Sequence, residues 1–336
     1  MPRPISNFNG FRGKKDVLAL VTRYLDGSRR TGCAFPSVLL KGPPGVGKST
    51  LMQAISWHLG VAVQKVVAAR DLRPADFYGR LVALEHGDIV LIDEGHNLTH
   101  DVQELLLGAA GEERRVQKMQ ESRGRLRTTT GETASIAEHC LAIATDRPGR
   151  ISAALLARLP LKIDLGAYTD SEMRTIIHQH ISDKRDTPNL SSQAITLMAR
   201  AARGIPREAI QLIKLLHSYH PASDREVTKR DLHEFLRANK IDNYMLRPDE
   251  RKCLFELHKQ QQPMRMHHLA RLVGVDRDYL VNTVEVALIR DRYIEVLASG
   301  RRLTAKGQLV AEELIKEWGE SDGASADTTS DREVSP

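Results

Sequence analysis

The sequence predicts an α/β domain built on a parallel sheet, followed by a helical region and a small domain of helices with one β-hairpin. A glycine-rich motif at 42–49 lies between a short apolar run and a stretch with helical spacing. Two more apolar runs, at 88–94 and 141–145, end in polar residues, as strands do at the carboxyl edge of a parallel sheet. From 167 to 240 the sequence shows helical periodicity without strand-like runs.

Length and composition limit the classes of protein to consider. A chain of 336 residues predicts two or three domains. No apolar run approaches the roughly 18 residues of a membrane span, and the N-terminus lacks an apolar signal core. Three widely separated cysteines predict reduced thiols. We therefore expect a cytoplasmic protein without a membrane partner, and the net charge of +6 favours an anionic partner such as nucleic acid.

Residues 42–49 read Gly-Pro-Pro-Gly-Val-Gly-Lys-Ser and form a complete G-x-x-x-x-G-K-[ST] motif. The glycines let backbone N–H groups curl around a polyphosphate. Lys48 would supply positive charge to the β- and γ-phosphates, and Ser49 would offer a hydroxyl to Mg²⁺. The apolar run at 37–40 predicts the preceding strand, and the spacing over 50–59 predicts the following helix. This order predicts a binding site for a nucleoside triphosphate with Mg²⁺.

The apolar run 88–94 predicts a second strand that ends in two carboxylates. Asp93 is expected to hold Mg²⁺ through its water shell. Glu94 is placed where a base could polarise the attacking water. We assign no catalytic role to His96, which completes the Asp-Glu-Gly-His sequence.

The run 141–145 predicts a third strand, and it ends in Thr145 and Asp146. Because this end faces the same crevice as the phosphate loop, either side chain could reach the γ-phosphate or the attacking water. Three arginines follow, at 147, 150 and 158. Further along, Pro206 starts a helix with Arg207 in its first turn, where the helix dipole disfavours a cation unless a phosphate lies in front of it.

Residues 114–133 carry six basic residues and are predicted to form a β-hairpin, because a glycine near the middle is followed by threonines. The helical region is predicted as four helices, at 172–181, 191–203, 207–217 and 229–239. From 241 onwards, three helices (249–260, 266–273 and 277–290) precede a hairpin at 293–304. Helices followed by a β-wing predict a winged helix. Its DNA contacts are predicted at the wing, with Arg301, Arg302 and Lys306; a protein contact is the alternative.

Four of these segments together resemble AAA+ ATPases and, within them, the RuvB family of Holliday-junction branch-migration motors. They lie at 42–49, 91–96, 144–149 and 204–207, and the resemblance extends over roughly residues 8–312. It implies a five-stranded parallel sheet flanked by helices, a helical lid and a winged helix. The implied boundaries are 1–166 for the ATPase domain, 167–240 for the lid and 241–318 for the winged helix, followed by an acidic disordered tail at 319–336.

The resemblance also implies residue roles. ATP would contact an N-terminal segment that lines the adenine pocket, the phosphate loop, and Arg207 as sensor 2. Asp93 and Glu94 match the Walker B acids, Thr145 or Asp146 matches sensor 1, and Arg158 matches the arginine finger. The expected ATP contacts outside Arg207 are Phe11, Arg12, Gly13, Gly42, Pro43, Pro44, Gly45, Val46, Gly47, Lys48, Ser49 and Thr50.

Two segments differ from the family pattern. RuvB-like chains typically carry Arg-x-Arg-Phe-Gly in the finger region, whereas residues 156–160 here read Leu-Ala-Arg-Leu-Pro. The finger assignment therefore depends on Arg158, with Arg147 or Arg150 next in line. Sensor 1 reads Thr-Asp where Thr-Thr is usual.

The function expected from the resemblance is that of a homo-hexameric DNA motor that hydrolyses ATP, with an arginine finger supplied in trans. The hairpin at 114–133 would contact a junction-binding protein, although its charge would suit phosphates equally well. The alternative is an AAA+ loader or remodeller of a protein or protein–DNA complex. A switch that binds nucleotide without hydrolysis is disfavoured, because both Asp93 and Glu94 are present.

Overall fold

The computed structural model describes residue 8 and residues 10–111, 114–122, 125–183, 187–220 and 225–322, with the side chains at 115, 117–122, 125–133 and 318–322 left out. The chain divides into two compact units, Met1–Lys229 and Arg230–Pro336. No helix among the described residues is both long and apolar enough to cross a membrane.

The described part of the first unit contains a five-stranded sheet and a separate hairpin. The strands are β1 (Val38–Lys41), β2 (Val63–Val67), β3 (Ile89–Asp93), β4 (Arg115–Ser122), β5 (Arg125–Ser135), β6 (Cys140–Thr145) and β7 (Leu161–Asp164). The sheet order is β2-β3-β6-β1-β7, and every neighbouring pair is parallel. This confirms the predicted parallel sheet of five strands.

The two strands that carry the predicted catalytic residues lie in the middle of the sheet. β6 is buried at every position, and β3 is buried at every position except Asp93. Both are continuous apolar runs because helices cover the two faces of a parallel sheet. Lys41 at the end of β1 pairs with Thr145 at the end of β6, so the phosphate loop and sensor 1 leave the sheet side by side.

Helices surround this sheet: α1 (Lys15–Thr31), α2 (Lys48–Leu59), α3 (Pro74–Val82), α4 (His100–Ala109) and α5 (Ala153–Ala157). The predicted hairpin between Walker B and sensor 1 is confirmed, because β4 and β5 pair antiparallel from Arg115↔Ser135 to Ser122↔Arg125.

Three further helices of the first unit occupy the predicted lid: α6 (Asp170–Ser182), α7 (Ser192–Ala201) and α8 (Pro206–Tyr219). Their starts follow from local capping. Thr169 and Glu172 form a capping box at α6, the Ser191 hydroxyl caps α7, and Pro206 occupies the first turn of α8. The observed ends lie within about two residues of the predicted ones because these signals are encoded in the sequence next to each helix.

The second unit begins with the helix predicted as the fourth of the lid, and the elements after it have the order of a winged helix. Its elements are α9 (Lys229–Ala238), α10 (Pro248–Gln260), α11 (Met266–Val273), α12 (Arg277–Tyr279), a π-helical turn (Leu280–Val284), α13 (Glu285–Arg290), β8 (Ile294–Leu297), β9 (Gly300–Leu303) and α14 (Ala305–Asp322). β8 and β9 pair antiparallel and form the wing. α14 extends into the segment predicted as the acidic tail, and residues 323–336 of that tail lie outside the described residues.

Candidate nucleotide-binding and catalytic site

The phosphate loop connects β1 to α2 with a backbone that requires glycine. Gly42 has φ 152° and Gly45 has φ 84°, a region that favours glycine. A Cβ at Gly42 would lie 2.2 Å from the Leu165 carbonyl oxygen, and one at Gly45 would lie 2.7 Å from the Arg207 Cβ. The two glycines thus allow the loop to pass close to the chain after β7 and to α8.

Lys48 begins α2, and its side chain is folded over the loop. Its Nζ donates to the carbonyl oxygens of Gly42 at 2.7 Å and Pro43 at 3.1 Å. Burial lowers the pKa of Lys48, an effect that the charges of Glu94, Asp93 and Asp146 partly offset. The ammonium is therefore held at the loop, among carboxylates.

Ser49 and Asp93 meet although 44 residues separate them in sequence. The Ser49 hydroxyl donates to the Asp93 Oδ2 at 2.9 Å. A hydroxyl and a carboxylate placed together at the phosphate loop are the hard oxygen ligands that Mg²⁺ prefers. These two residues therefore fit the metal that the P-loop fold implies.

Asp93 Oδ2 has a second partner that the sequence analysis missed. Lys65 of β2 places its Nζ 3.0 Å away. No motif contains Lys65, and its only signal in the sequence was a cation in an otherwise apolar and neutral strand.

Glu94 follows β3 in a left-handed conformation, with φ 56°, and its side chain is half-exposed. The turn depends on Gly95, since a Cβ there would lie 2.4 Å from the Ile143 Cγ2. The Glu94 carboxylate thus stays accessible to water.

His96 joins the three polar groups at the ends of β3 and β6. Its Nδ1 lies 3.0 Å from the Asp146 Oδ1, 3.3 Å from the Thr145 Oγ1 and 3.6 Å from the Glu94 Oε2. The side chain is only 11% exposed. No catalytic role was expected for His96 from the sequence, because its spacing from Asp93 does not reveal these contacts.

The lid contributes Arg207 and Tyr168 to the loop. The Arg207 backbone N–H donates to the Gly45 carbonyl oxygen at 3.3 Å, and the Tyr168 hydroxyl donates to the Val46 carbonyl oxygen at 3.0 Å. The exposed Arg207 side chain therefore starts beside the phosphate loop. Tyr168 was not identified from the sequence.

The N-terminal segment packs between the loop and α6. Phe11 is buried, and a Cβ at Gly47 would lie 3.2 Å from the Phe11 Cε2. A Cβ at Gly13 would lie 2.8 Å from the Tyr168 ring. The Arg12 Nε donates to the Gln179 Oε1 at 2.6 Å. The structure thus places residues 11–13 next to the phosphate loop.

Arg158 lies at the end of α5 and is exposed. Its guanidinium has no hydrogen-bond or ion-pair partner within the described ranges of the chain. Arg147 is 3.8 Å from Asp146, whereas Arg150 is exposed. Arg150 and Arg158 are therefore both available to another molecule within the described ranges, and Arg158 is the first candidate because it matches the finger position of the family.

Comparison with known proteins assigns the family. Residues 2–165 match the family model described as the Holliday junction DNA helicase RuvB P-loop domain, and residues 243–312 match the RuvB C-terminal winged helix domain. A RuvB subunit of the Holliday junction branch migration complex from Prochlorococcus marinus is 30% identical over 309 residues, which cover 91% of this chain and 86% of the relative. The chain belongs to the RuvB family.

Other RuvB proteins are similar over the same extent. The subunit from Mycoplasma genitalium is 25% identical, with 91% of this chain and 96% of the relative covered. The solved structure of a RuvB variant from Thermotoga maritima has a TM-score of 0.77 at 26% identity, covering 91% of this chain and 97% of that chain. The P-loop and winged-helix domains expected from the sequence are thereby confirmed, and the P-loop domain implies nucleotide binding.

In the second unit, the three cations predicted to bind DNA all have partners. Arg301 makes a bidentate ion pair with Glu285, at 3.0 and 3.1 Å, and both side chains are largely buried. Arg302 pairs with Glu295 at 2.6 Å in an exposed position. The Lys306 Nζ donates to the Asp291 carbonyl oxygen at 2.8 Å and lies over the Tyr293 ring. A DNA contact at the wing stays a prediction.

A second basic surface lies around the start of α11. A cavity of about 370 Å³ is lined by seven residues that include no acid, among them Arg265, His267 and His268. These three residues and Arg271 are exposed. Their side chains have no ion-pair partner within the described ranges. We call these four residues the α11 surface.

Proposed function

We propose that the protein is an ATP-hydrolysing ring motor that drives branch migration of Holliday junctions. The observation that carries this proposal is the single cluster formed by Lys48, Ser49, Asp93, Glu94 and Thr145 at the carboxyl edge of the sheet. This cluster occurs in a chain that pairs a RuvB-type P-loop domain with a RuvB-type winged helix. We propose that the motor acts in the cytoplasm, as expected from the sequence.

The cluster supports hydrolysis through separate roles for its residues. Lys48 and the loop N–H groups would hold the phosphates, and Ser49 and Asp93 would hold Mg²⁺. When bound, Mg²⁺ neutralises charge that develops on the phosphate oxygens. Glu94, half-exposed beside the cluster, would orient a water and accept its proton. Phe11, Arg12 and Gly13 would form one side of the nucleobase pocket.

Sensor residues would report the state of the γ-phosphate. Thr145 ends the strand beside β1 and Asp146 follows it, and Arg207 extends from the lid at the phosphate loop. A cation in the first turn of α8 faces an unfavourable helix dipole, which a bound phosphate would offset. We propose that Arg207 couples nucleotide state to lid position.

The exposed Arg158 supports a site completed by a neighbouring subunit. An arginine in trans stabilises charge in phosphoryl transfer and links hydrolysis to assembly. We propose a homo-hexamer in which Arg158 of one subunit reaches the nucleotide of the next. The β4–β5 hairpin belongs to the same unit and would contact a junction-binding protein.

DNA contact is proposed for the winged helix, and the structure favours the α11 surface over the wing. Arg301 would have to leave a largely buried bidentate ion pair to reach a phosphate. The α11 surface needs no such exchange, since its cations are exposed and unpaired within the described ranges. Electrostatic contact of this kind depends on salt and is tolerant of sequence.

The second candidate function is an AAA+ loader or remodeller of a protein or protein–DNA complex. The observation that favours it is the internal pairing of all three wing cations, which leaves the wing suited to protein docking.

ATPase turnover separates the two functions when it is measured with and without a four-way DNA junction at moderate salt. A Glu94→Gln variant serves as the control for background hydrolysis. We expect stimulation by the junction and movement of its branch point in a fluorescence strand-exchange assay. Stimulation by a protein, with no response to duplex or junction DNA, would instead establish the remodeller.

A further inference from the structure

The Walker B aspartate already has a cationic partner in this chain. Lys65 Nζ lies 3.0 Å from Asp93 Oδ2, the same oxygen that accepts the Ser49 hydroxyl at 2.9 Å. Lys65 is about half-exposed and Asp93 is mostly buried. The same Asp93 oxygen therefore contacts both Ser49, a predicted Mg²⁺ ligand, and the ammonium group of Lys65.

Strand register explains how Lys65 reaches this position. β2 is the edge strand next to β3, with Lys65 opposite Leu91 and Val67 opposite Asp93. Residues 65 and 67 share one face of the sheet with Asp93, because side chains alternate along a strand. Lys65 thus lies on the diagonal from Asp93, within reach of a long side chain.

Lys65 and Ser49 stabilise the charged form of the Asp93 carboxylate without a metal. Burial alone would raise the pKa of Asp93, but hydrogen bonds from Lys65 and Ser49 and the charge of Lys65 outweigh it, so the pKa lies below its usual value. Lys65 is held less firmly than Lys48, because Lys48 is buried and fixed by two carbonyl oxygens. Among the described residues, Lys65 pairs only with Asp93, and its flexible side chain reaches solvent.

We propose that Lys65 is the counter-ion of Asp93 when Mg²⁺ is absent and is exchanged for the metal when the site is loaded. Lys65 thereby sets the Mg²⁺ concentration at which nucleotide binds tightly. This inference depends on the nucleotide and Mg²⁺ binding proposed above for the same site.

Two consequences follow from the charges. Without Mg²⁺, loss of the ammonium leaves Asp93 as an unpaired anion facing a polyphosphate, so nucleotide binds more weakly. With Mg²⁺, the metal no longer competes with a cation for the carboxylate, so it binds at a lower concentration. A residue that only supports the fold would change both affinities in the same direction.

The test compares Lys65→Met with Lys65→Arg, which keeps the charge. Lys162→Met is the matched control. Lys162 is also an exposed lysine of an edge strand, but its strand, β7, lies at the opposite edge of the sheet from β2. The affinity for a fluorescent ADP analogue is measured at equilibrium in EDTA and across a Mg²⁺ titration. Thermal unfolding of each variant verifies that it is folded.

For Lys65→Met we expect about a tenfold loss of affinity in EDTA, since unit charges at ~4 Å still interact appreciably near a protein surface. Affinity at saturating Mg²⁺ should be unchanged, and linkage then requires that bound nucleotide strengthen Mg²⁺ binding about tenfold more in this variant than in the wild type, which lowers the Mg²⁺ midpoint. Lys65→Arg and Lys162→Met should behave like the wild type.

An equal loss in EDTA and in Mg²⁺ would overturn the proposal, because Lys65 would then contact the nucleotide or support the fold. An unchanged Mg²⁺ midpoint would overturn it as well. Failure of the proposed function would look different. If the wild-type protein binds no nucleotide in EDTA or in Mg²⁺, the proposed nucleotide site itself is wrong.

Discussion

At the scale of single residues, the site separates binding from chemistry. Lys48 is fixed over the phosphate loop by two carbonyl oxygens, whereas Glu94 stands half-exposed beyond the end of β3. The first position suits a group that holds phosphates, and the second suits a group that handles a water. Substitutions at the two positions should therefore have different effects.

Lys48→Ala should abolish nucleotide binding, because it removes the only side-chain cation held over the loop by carbonyl oxygens among the described residues. Glu94→Gln should keep nucleotide affinity and lower turnover by about 10²-fold or more, the usual contribution of a general base. Equilibrium binding of a fluorescent nucleotide and steady-state ATPase assays measure the two effects. Equal loss of binding in both variants would contradict this division of roles.

We propose that His96 is a positioning residue, since its Nδ1 faces Asp146, Thr145 and Glu94. His96→Asn retains a donor near the Nδ1 position and should keep most of the turnover. His96→Gln moves the donor towards the Nε2 position and should lower turnover by about tenfold, less than the 10²-fold or more expected for loss of the general base itself. Nucleotide affinity should stay constant in both variants.

A purely structural role for His96 predicts another pattern. Both substitutions would then lower thermal stability, and turnover would follow the folded fraction. Asn and Gln would not differ in turnover at equal folding, and that result would remove the positioning role.

At the scale of elements, the wing is fastened to the body of the winged helix by a backbone bridge between Met264 and Arg301 and by the ion pair of Arg301 with Glu285. Arg301→Ala leaves the buried Glu285 carboxylate without its partner and should lower the free energy of unfolding by about 3 kcal/mol. The exposed pair at Arg302 should contribute less than about 1 kcal/mol, so Arg302→Ala serves as the control. Urea unfolding of the intact chain measures both changes. Equal stability of the two variants would show that the Arg301 pair does not fasten the wing.

The α11 surface makes a separate prediction about DNA. Replacing Arg265 and Arg271 together with alanine should weaken binding to all sequences and lower the slope of log K against log salt by up to roughly 2. Arg302→Ala, which perturbs the fold little, should change the slope less. Fluorescence anisotropy with duplex and four-way DNA at several salt concentrations provides the slopes. The reverse order of effects would assign the phosphate contacts to the wing.

At the scale of the whole molecule, the exposed Arg158 predicts activity that is shared between subunits. Arg158→Ala alone should bind ATP and lose most of its hydrolysis. Mixing it with the Glu94→Gln protein should restore part of the activity, because some interfaces then combine an intact Glu94 with an intact Arg158. ATPase rates of the mixture and of each variant alone test this. If mixed rings form and remain inactive, the finger lies elsewhere, with Arg147 and Arg150 to be tested next.

Much of this architecture could be predicted from the sequence because its signals are local. The glycines of the loop, the apolar strands β3 and β6 and the capping residues of α6 and α7 each lie within a few residues of what they specify. The same holds for the α10–α11 region and the wing, whose order of elements predicted a winged helix. These features place Lys48, Ser49, Asp93 and Thr145 at one edge of a parallel sheet without any knowledge of side-chain positions.

The tertiary structure alone decided which side chains face one another across those elements. Lys65 reaches Asp93 only through the register of β2 on β3, and His96 reaches Asp146 only because β3 and β6 are neighbours in the sheet. Arg301 pairs with Glu285 because the wing folds back on α13. Charged side chains on separate elements carry no local signal of their partner, since the same lysine or arginine would suit solvent, phosphate or carboxylate equally well. Their roles therefore follow from distance and burial.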